Sequence, residues 1–408
     1  MFTLPLEQIN YDEIEAFCKE QIPEGETIEY KSDFPSDLEK SISSMANTYG
    51  GIILIGIKAD KTGNVPIIPI EGRDLSEGLE EKITSICLRK IYPPYFPLVK
   101  VCPLPTEKGE NKCVVFIRVY ESDQTPHAIN HNTEVYVRIR SQNEPFRKAT
   151  VDEIEWLKNR RQKAIENRER LIKMAEQRFR NMPHGGLDNL KAHTGPRDLY
   201  SPYRRASIIP LFPSKPLLEY IELLNLRDTF NNSRDPVLYL GTPISCSGSL
   251  SCPLVHHDSS GNPDFLNYTE FNIWGLVYNK QSLWENSDPE NKELFYVSYF
   301  LKQIYRVVTV GTTFYEKAGY FGSALIEVEV GGILGKQIGV DKLWFKNQIE
   351  PHISITRTYI FGELNEDLEN IIIDICTEFL WCCGAGERVN ACASDLKNLY
   401  EKEKDSFQ

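Results

Sequence analysis

The sequence predicts an α+β protein: an N-terminal α/β domain, a long basic helix, and a C-terminal α+β domain. Three observations lead there. The chain has 408 residues, too many for one ordinary domain. Its first 149 residues alternate strand-like and helix-like patterns around a buried-strand run, Ile52 to Ile57. Charge is uneven: residues 1–149 sum to −6 and residues 206–408 to −11, but residues 150–205 hold 13 basic and 8 acidic side chains. One basic segment therefore lies between two acidic bodies. The expected divisions are 1–149, a basic helix and linker over 150–203, and a regulatory or oligomerisation domain over 204–408.

Taken in order, residues 5–20 read as a short opening helix with Ile14 and Phe17 inward. Pro23-Glu24-Gly25 is a turn signal. Thr27 to Lys31 suits a strand, with Ile28 and Tyr30 alternating against Glu29 and Lys31. Ser36 with Glu39 three residues on reads as a capping box opening a helix through Leu38, Ile42 and Met45. That helix stops at Gly50-Gly51, where glycine takes a left-handed cap. After Ile52–Ile57, Asp60-Lys61-Thr62-Gly63 turns the chain back. A helix is expected near Leu75–Ile91, and strands at Cys113–Tyr120 and Glu134–Ile139. Thr150 and Glu153 form a second capping box, opening the longest helical pattern, to about Arg180. Met182 to Tyr203 reads as an interdomain linker. Strands are then expected at Ala206–Pro210, Val237–Leu240, Glu270–Val277, Ala324–Val330 and Ile353–Tyr359. Helices are expected at Leu217–Leu226, Lys292–Val308, Glu366–Cys382 and Ala393–Lys404.

Composition excludes several classes. Hydrophobic content of 41% and charged content of 25% fit a globular chain. The most apolar run, Ile371 to Ala385, is broken by Asp374 and Glu378, so it reads as a buried helix and not a membrane span. With no basic-then-apolar signal segment at the start, a cytoplasmic location and no membrane partner are expected. The ten cysteines follow no regular framework and are expected as reduced thiols. A net charge of −12 argues against general nucleic-acid binding by the whole chain, though local charge decides.

Glu24, Glu29, Lys31 and Asp60 carry the first candidate chemistry. Glu29 and Lys31 stand two apart on a strand and share a face. The Pro23–Gly25 turn lets Glu24 fold back towards them, with Glu26 as a rival for that position. Asp60 follows the apolar strand at its edge. Three converging carboxylates make a hard-oxygen site for Mg²⁺ or Mn²⁺, which positions water and stabilises charge on a phosphodiester. The plain alternative is solvated acids at turns and strand ends, since the chain holds 58 of them. Arg138, Arg140 and Lys148, then Arg160, Arg161 and Lys163 on the basic helix, are candidate phosphate contacts. Intrahelical pairing with Glu166, Glu169 and Glu176 is the bland reading of the same charges. Gly50-Gly51 follows a helix instead of preceding one, which is the wrong order for a phosphate loop, and no GxxxxGK[ST] occurs. Cys246, Cys252, His256 and His257 have a spacing outside the usual zinc patterns and sit in a Ser/Gly-rich stretch read as a loop. His127, beside a proline turn, reads as an interior histidine before a general acid.

The pattern Glu24…Glu29-Tyr30-Lys31 resembles the E-x(4)-E-[F/Y]-K motif of the Schlafen core domain, also called the AlbA-like or divergent AAA domain. Ala46-Asn47-Thr48-Tyr49-Gly50-Gly51, Ile55-Gly56-Ile57 with Asp60, Pro126-His127, and Val135-Tyr136-Val137-Arg138 resemble its later segments. The likeness covers residues ~10–150. In animal Schlafens, acids at the positions of Glu24, Glu29 and Asp60 cut structured RNA, chiefly tRNA, with a divalent metal. Many bacterial relatives are described only as ATP-binding or DNA-binding, and some are linked to phage defence. The resemblance thus implies a metal-dependent endoribonuclease in antiviral defence or stress response. Glu24, Glu29 and Asp60 would hold Mg²⁺ or Mn²⁺, and Lys31 would orient water or phosphate. The rival is a non-catalytic nucleic-acid- or nucleotide-binding regulator. One Schlafen-like unit stands here where the animal core has two lobes, so a homo-oligomer is expected. The acidic C-terminal domain suits a protein or small-molecule partner.

Overall fold

The computed structural model describes residues 6–60, 62–139, 146–181, 202–213, 215–231, 240–257, 263–282, 294–320, 322–340, 343–346 and 350–407. It has both helices and strands in mixed sheets, the α+β class expected. The chain divides into two compact units, Met1–Lys163 and Ala164–Gln408, and the division falls inside the helix Val151–Arg180. Among the described residues no helix is long and apolar enough to cross a membrane.

In chain order the first unit holds α1 (Tyr11–Lys19), β1 (Ile28–Lys31), α2 (Leu38–Asn47), β2 (Gly51–Ile55), β3 (Arg73–Asp74), α3 (Leu79–Lys90), β4 (Leu98–Pro103) and β5 (Lys112–Val119). Short strands β6 (Ala128–Ile129), β7 (Glu134–Arg138) and β8 (Phe146–Lys148) follow. β1 and β2 pair in parallel, with α2 as the connection between them, and β2 pairs antiparallel with β5, which carries β3 and β4. β2 is buried along its whole length, as its β-branched run requires. Its alternate residues face different layers. Ile53 and Ile55 pack with Leu38, Ile42 and Met45 of α2 and Ile83 of α3. Ile52 and Leu54 pack with Ile14 and Phe17 of α1. Because Glu29 is in register with Ile53, β1 sends Glu29 and Lys31 to the α2 side and Tyr30 to the α1 side.

Two local expectations change. α2 begins at Leu38 after Asp37, with no side-chain cap, so the Ser36–Glu39 box does not form; Glu39 pairs instead with Lys90 at 3.2 Å. The box at Thr150 does form: the Glu153 amide donates to Thr150 Oγ1 at 3.3 Å, and the Thr150 amide to Glu153 Oε2 at 2.8 Å. Gly51 has φ +154°, and a Cβ there would sit 2.5 Å from the Thr27 carbonyl oxygen. Gly51→Ala is therefore expected to destabilise the first unit by about 1–3 kcal/mol, seen as a lower melting temperature. An unchanged melt would show that the β1–β2 approach has slack.

The helix Val151–Arg180, α4, runs out of the first unit into the second. There β9 (Tyr203–Pro210), β10 (Ile244–Cys246), β11 (Ser249–His257), β12 (Pro263–Asn272), β13 (Val277–Ser282), β15 (Ser323–Gly331) and β18 (His352–Ile360) form one antiparallel sheet, ordered β10-β11-β12-β13-β9-β15-β18. β14 (Leu294–Tyr296), β16 (Gln337–Val340) and β17 (Leu343–Lys346) make a small second sheet. The helices Val297–Ala318, Leu368–Cys382 and Arg388–Phe407 bury one face of the large sheet. Leu171, Ala175 and Phe179 of α4 pack on the other, against Leu266, Tyr268 and Tyr278. The single strand expected over Glu270–Val277 is two strands, because Gly275 (φ +90°) lets the chain reverse between β12 and β13. The linker expected over 182–203 lies outside the described residues up to residue 201, as does the strand expected at Val237–Leu240 apart from Leu240.

Candidate functional site

The site grows from the parallel pair β1–β2 and the end of α2. Glu29 points from β1 under α2, where Ser41 Oγ donates to its Oε1 at 2.8 Å. Lys31, two residues along the same face, lies 2.9 Å from Oε1. Arg138, arriving on β7, donates from Nη1 to Glu29 Oε2 at 2.7 Å. The guanidinium is completely enclosed and also donates to the carbonyls of Glu26 and Gly25, at 3.1 and 2.5 Å. Glu29 is 1% exposed. Burial alone would push its carboxyl up, but the Lys31 and Arg138 charges outweigh it and hold the group below the usual carboxylate range.

Glu24 does fold back through the Pro23–Gly25 turn. Its Oε1 accepts from the Tyr30 amide at 2.7 Å and stands 3.7 Å from Lys31 Nζ. Glu24, Glu29 and Lys31 therefore meet as expected. Asp60 does not join them: its Oδ1 accepts from the Gly63 amide at 2.7 Å and the Val65 amide at 3.4 Å, closing its own turn. Among the described residues no three His, Cys, Asp or Glu side chains are grouped so as to hold a metal ion. Both Glu29 oxygens already receive cationic or hydroxyl donors. In this arrangement the residues do not fit a divalent cation, and what gathers here is a buried ionic cluster.

Asn47 is the piece the sequence reading left without a role. At the end of α2, its Nδ2 donates to the carbonyls of His127 and Tyr136 at 2.9 and 2.8 Å, and its Oδ1 accepts from the His127 amide at 2.8 Å. The next residue, Thr48, accepts from the Arg138 amide at 3.2 Å. Asn47 and Thr48 thus pin β7 so that Arg138 reaches Glu29. The signal was there: a buried helix C-terminus is costly unless its polar groups find partners.

The expected phosphate contacts separate into groups. Arg138 is a correction: it is enclosed with Glu29 and offers no surface to a polyanion. Arg140 lies outside the described residues. Lys148 is exposed but pairs with Glu134. Arg160 is mostly covered and holds Glu121 Oε1 at 2.7 Å and the Ser122 carbonyl at 2.5 Å. Arg161 and Lys163 are exposed, as is Lys158. One residue was missed. Trp156 is 58% exposed, with the Arg160 guanidinium 5.2 Å over its ring. Trp156, Arg160 and Lys163 stand at i, i+4 and i+7 and share one stripe of α4. A tryptophan on a charged face, four residues before an arginine, was the available cue.

His127 is interior, the reading preferred over a general acid. Nδ1 lies 2.7 Å from the Pro93 carbonyl, which only accepts, so Nδ1 carries the proton and Nε2 accepts from Ser122 Oγ at 2.7 Å. Burial lowers its pKa to about 4. Cys246 and Cys252 lie on strands β10 and β11, not in a loop. Cys252 enters the main core and Cys246 faces the other side of the sheet, bonded to Ser251, so the two do not converge. The side chains of His256 and His257 lie outside the described residues.

Residues 24–147 match the family model described as Schlafen, AlbA_2. The match opens on Glu24 and takes in Glu29, Lys31, Asn47, Asp60, His127 and Arg138, so the likeness to a Schlafen/AlbA_2 domain lies within the first unit. A search of the curated proteins found no match to the chain.

Proposed function

We propose that the first unit, whose residues 24–147 match the Schlafen, AlbA_2 family model, has a nucleic-acid-related function and binds RNA through the Trp156–Arg160–Lys163 stripe of α4. Unpaired bases in a structured RNA such as tRNA stack on Trp156, and the flanking cations meet phosphates. The supporting observation is that stripe: a large exposed indole under a guanidinium, with exposed Lys163, which has no ion pair among the described residues, two turns along the same face. Exposed aromatics interleaved with cations grip single strands, each stacked base contributing about 1–3 kcal/mol. The Glu24–Glu29–Lys31–Arg138 cluster then serves structure, fixing β1, α2 and β7.

Fluorescence anisotropy with a labelled tRNA and a labelled single-stranded RNA tests this. Trp156→Ala with Lys163→Glu is expected to raise Kd about 10- to 100-fold and to flatten its salt dependence. EDTA leaves binding unchanged. Equal affinity of wild type and variant would end the proposal.

A second reading is a metal-dependent endoribonuclease, favoured by the retention of acids at all three family positions, Glu24, Glu29 and Asp60. It requires Mg²⁺ or Mn²⁺ and a rearrangement that frees Glu29 from Lys31 and Arg138 and brings Asp60 in. A homodimer would supply the second lobe of the animal core, and antiviral defence or a stress response would be the setting. Cleavage of tRNA that depends on Mg²⁺ or Mn²⁺ and disappears in Asp60→Asn would favour this reading over simple binding.

A further inference from the structure

The second unit holds a cavity of about 320 Å³ between the last turns of α4 and the β10 edge of the large sheet. Helical spacing builds one wall: Met174, Gln177, Arg178 and Asn181 stand at i, i+3, i+4 and i+7 and share a face. Strand alternation builds the other. Ile244 and Cys246 on β10 and Ser251 and Pro253 on β11 are each two apart, and Tyr268 of β12 is in register with Pro253. Leu250 and Cys252, one step out of phase, point into the core on the opposite side. The volume is at the lower end of the range that takes small organic ligands.

Arg178 gives this cavity its chemistry. Its side chain is 21% exposed. Nη1 donates to Glu270 Oε1 at 2.5 Å and to Ser249 Oγ at 3.0 Å, and Nη2 donates to the Ser247 carbonyl at 3.1 Å. Those bonds use three of a guanidinium's five N–H donors. The remaining donors have no partner among the described residues. Glu270 is fully buried behind the guanidinium, and its other oxygen accepts from the Tyr268 hydroxyl at 2.5 Å. An incoming anion therefore meets the anchored arginine and not the carboxylate. Met174, Ile244 and Pro253 supply apolar surface beside it.

We propose that this cavity binds a small organic anion, its apolar body against Met174, Ile244 and Pro253 and its charged head on Arg178. The second unit is then a ligand-binding unit, independent of how the first unit handles RNA.

The full chain is titrated with 1-anilinonaphthalene-8-sulfonate, an aromatic body bearing one sulfonate, and with N-phenyl-1-naphthylamine, the same body without it. Saturable binding of the sulfonate is expected. Asn181→Asp places a negative charge at the exposed mouth. It should weaken the sulfonate about 5-fold while leaving the neutral probe within about 2-fold. Cys246→Phe fills the cavity and should abolish both, with circular-dichroism melting to confirm that the variant folds. Should Cys246→Phe fail to fold, Asn181→Asp decides alone. Non-saturable binding, or sulfonate binding that Asn181→Asp leaves unchanged, overturns the proposal.

Discussion

Arg138→Met is expected to lower the local stability of the β1–β7 region by about 3–5 kcal/mol, the usual cost of stripping one partner from a buried ion pair. Three facts set that scale. The guanidinium is fully enclosed, Glu29 beside it is 1% exposed, and two backbone carbonyls, of Gly25 and Glu26, also depend on Arg138. Methionine leaves all three acceptors short, with only Lys31 and Ser41 to hold Glu29. Lys31→Met should cost far less, about 1 kcal/mol or below, because Lys31 is 31% exposed and water replaces it. Hydrogen exchange on peptides covering 28–31 and 134–138 reads the difference. Pairing Arg138→Met with Glu29→Gln should recover part of the loss, since the stranded charge goes too. Equal protection in wild type and Arg138→Met would mean that the cluster does not hold these strands.

How much of this was readable beforehand depends on how local the cause is. Period-two alternation placed Glu29 and Lys31 on one face, and the Pro23–Gly25 turn brought Glu24 back to them; both rest on neighbours within a few residues. The Thr150–Glu153 box and the full length of α4 were readable for the same reason. Asp60 shows how an acid after a strand finds local partners first. The amides of Gly63 and Val65, three and five residues away, occupy its Oδ1, although the same turn touches Glu24, whose amide donates to the Asn64 carbonyl at 2.9 Å. Arg138 was misjudged because its partner lies 109 residues earlier. On sequence alone a strand arginine reads as a surface cation. Ser36 lost its capping role to a tertiary pair, Glu39 with Lys90. The cavity beside Arg178 was invisible, since it needs one helix stripe and three strands in register at once.

Acid should weaken the first unit well before its carboxylates titrate, and His127 is the reason. Its folded pKa of about 4 lies below the ordinary 6.5 because burial disfavours the charged ring, with Arg160 and Arg161 adding repulsion and only the Pro93 carbonyl favouring the cation. The folded state then binds fewer protons than the unfolded one. Its contribution is complete above pH 6.5 and is lost as pH falls towards 4, with about 2–3 kcal/mol gone by pH 4.5. Carboxylates with lowered values act later: Glu15 and Glu153 sit at about 2, so their contributions fade below pH 4.5. The interval from 6.5 to 4.5 therefore isolates the histidine. His127→Gln should flatten the urea midpoint across that interval while lowering it at pH 7, where the bonds to Ser122 and Pro93 are lost. A wild-type midpoint that stays constant from pH 7 to 4.5 would show that the ring takes up its proton without opening the loop. The loop from Ser122 to His127 also carries the carbonyl that anchors Arg160, and Arg160 stacks on Trp156. Protonating His127 thus reaches the proposed RNA stripe, and affinity for RNA should fall in acid even as the protein's net charge of −12 becomes less negative.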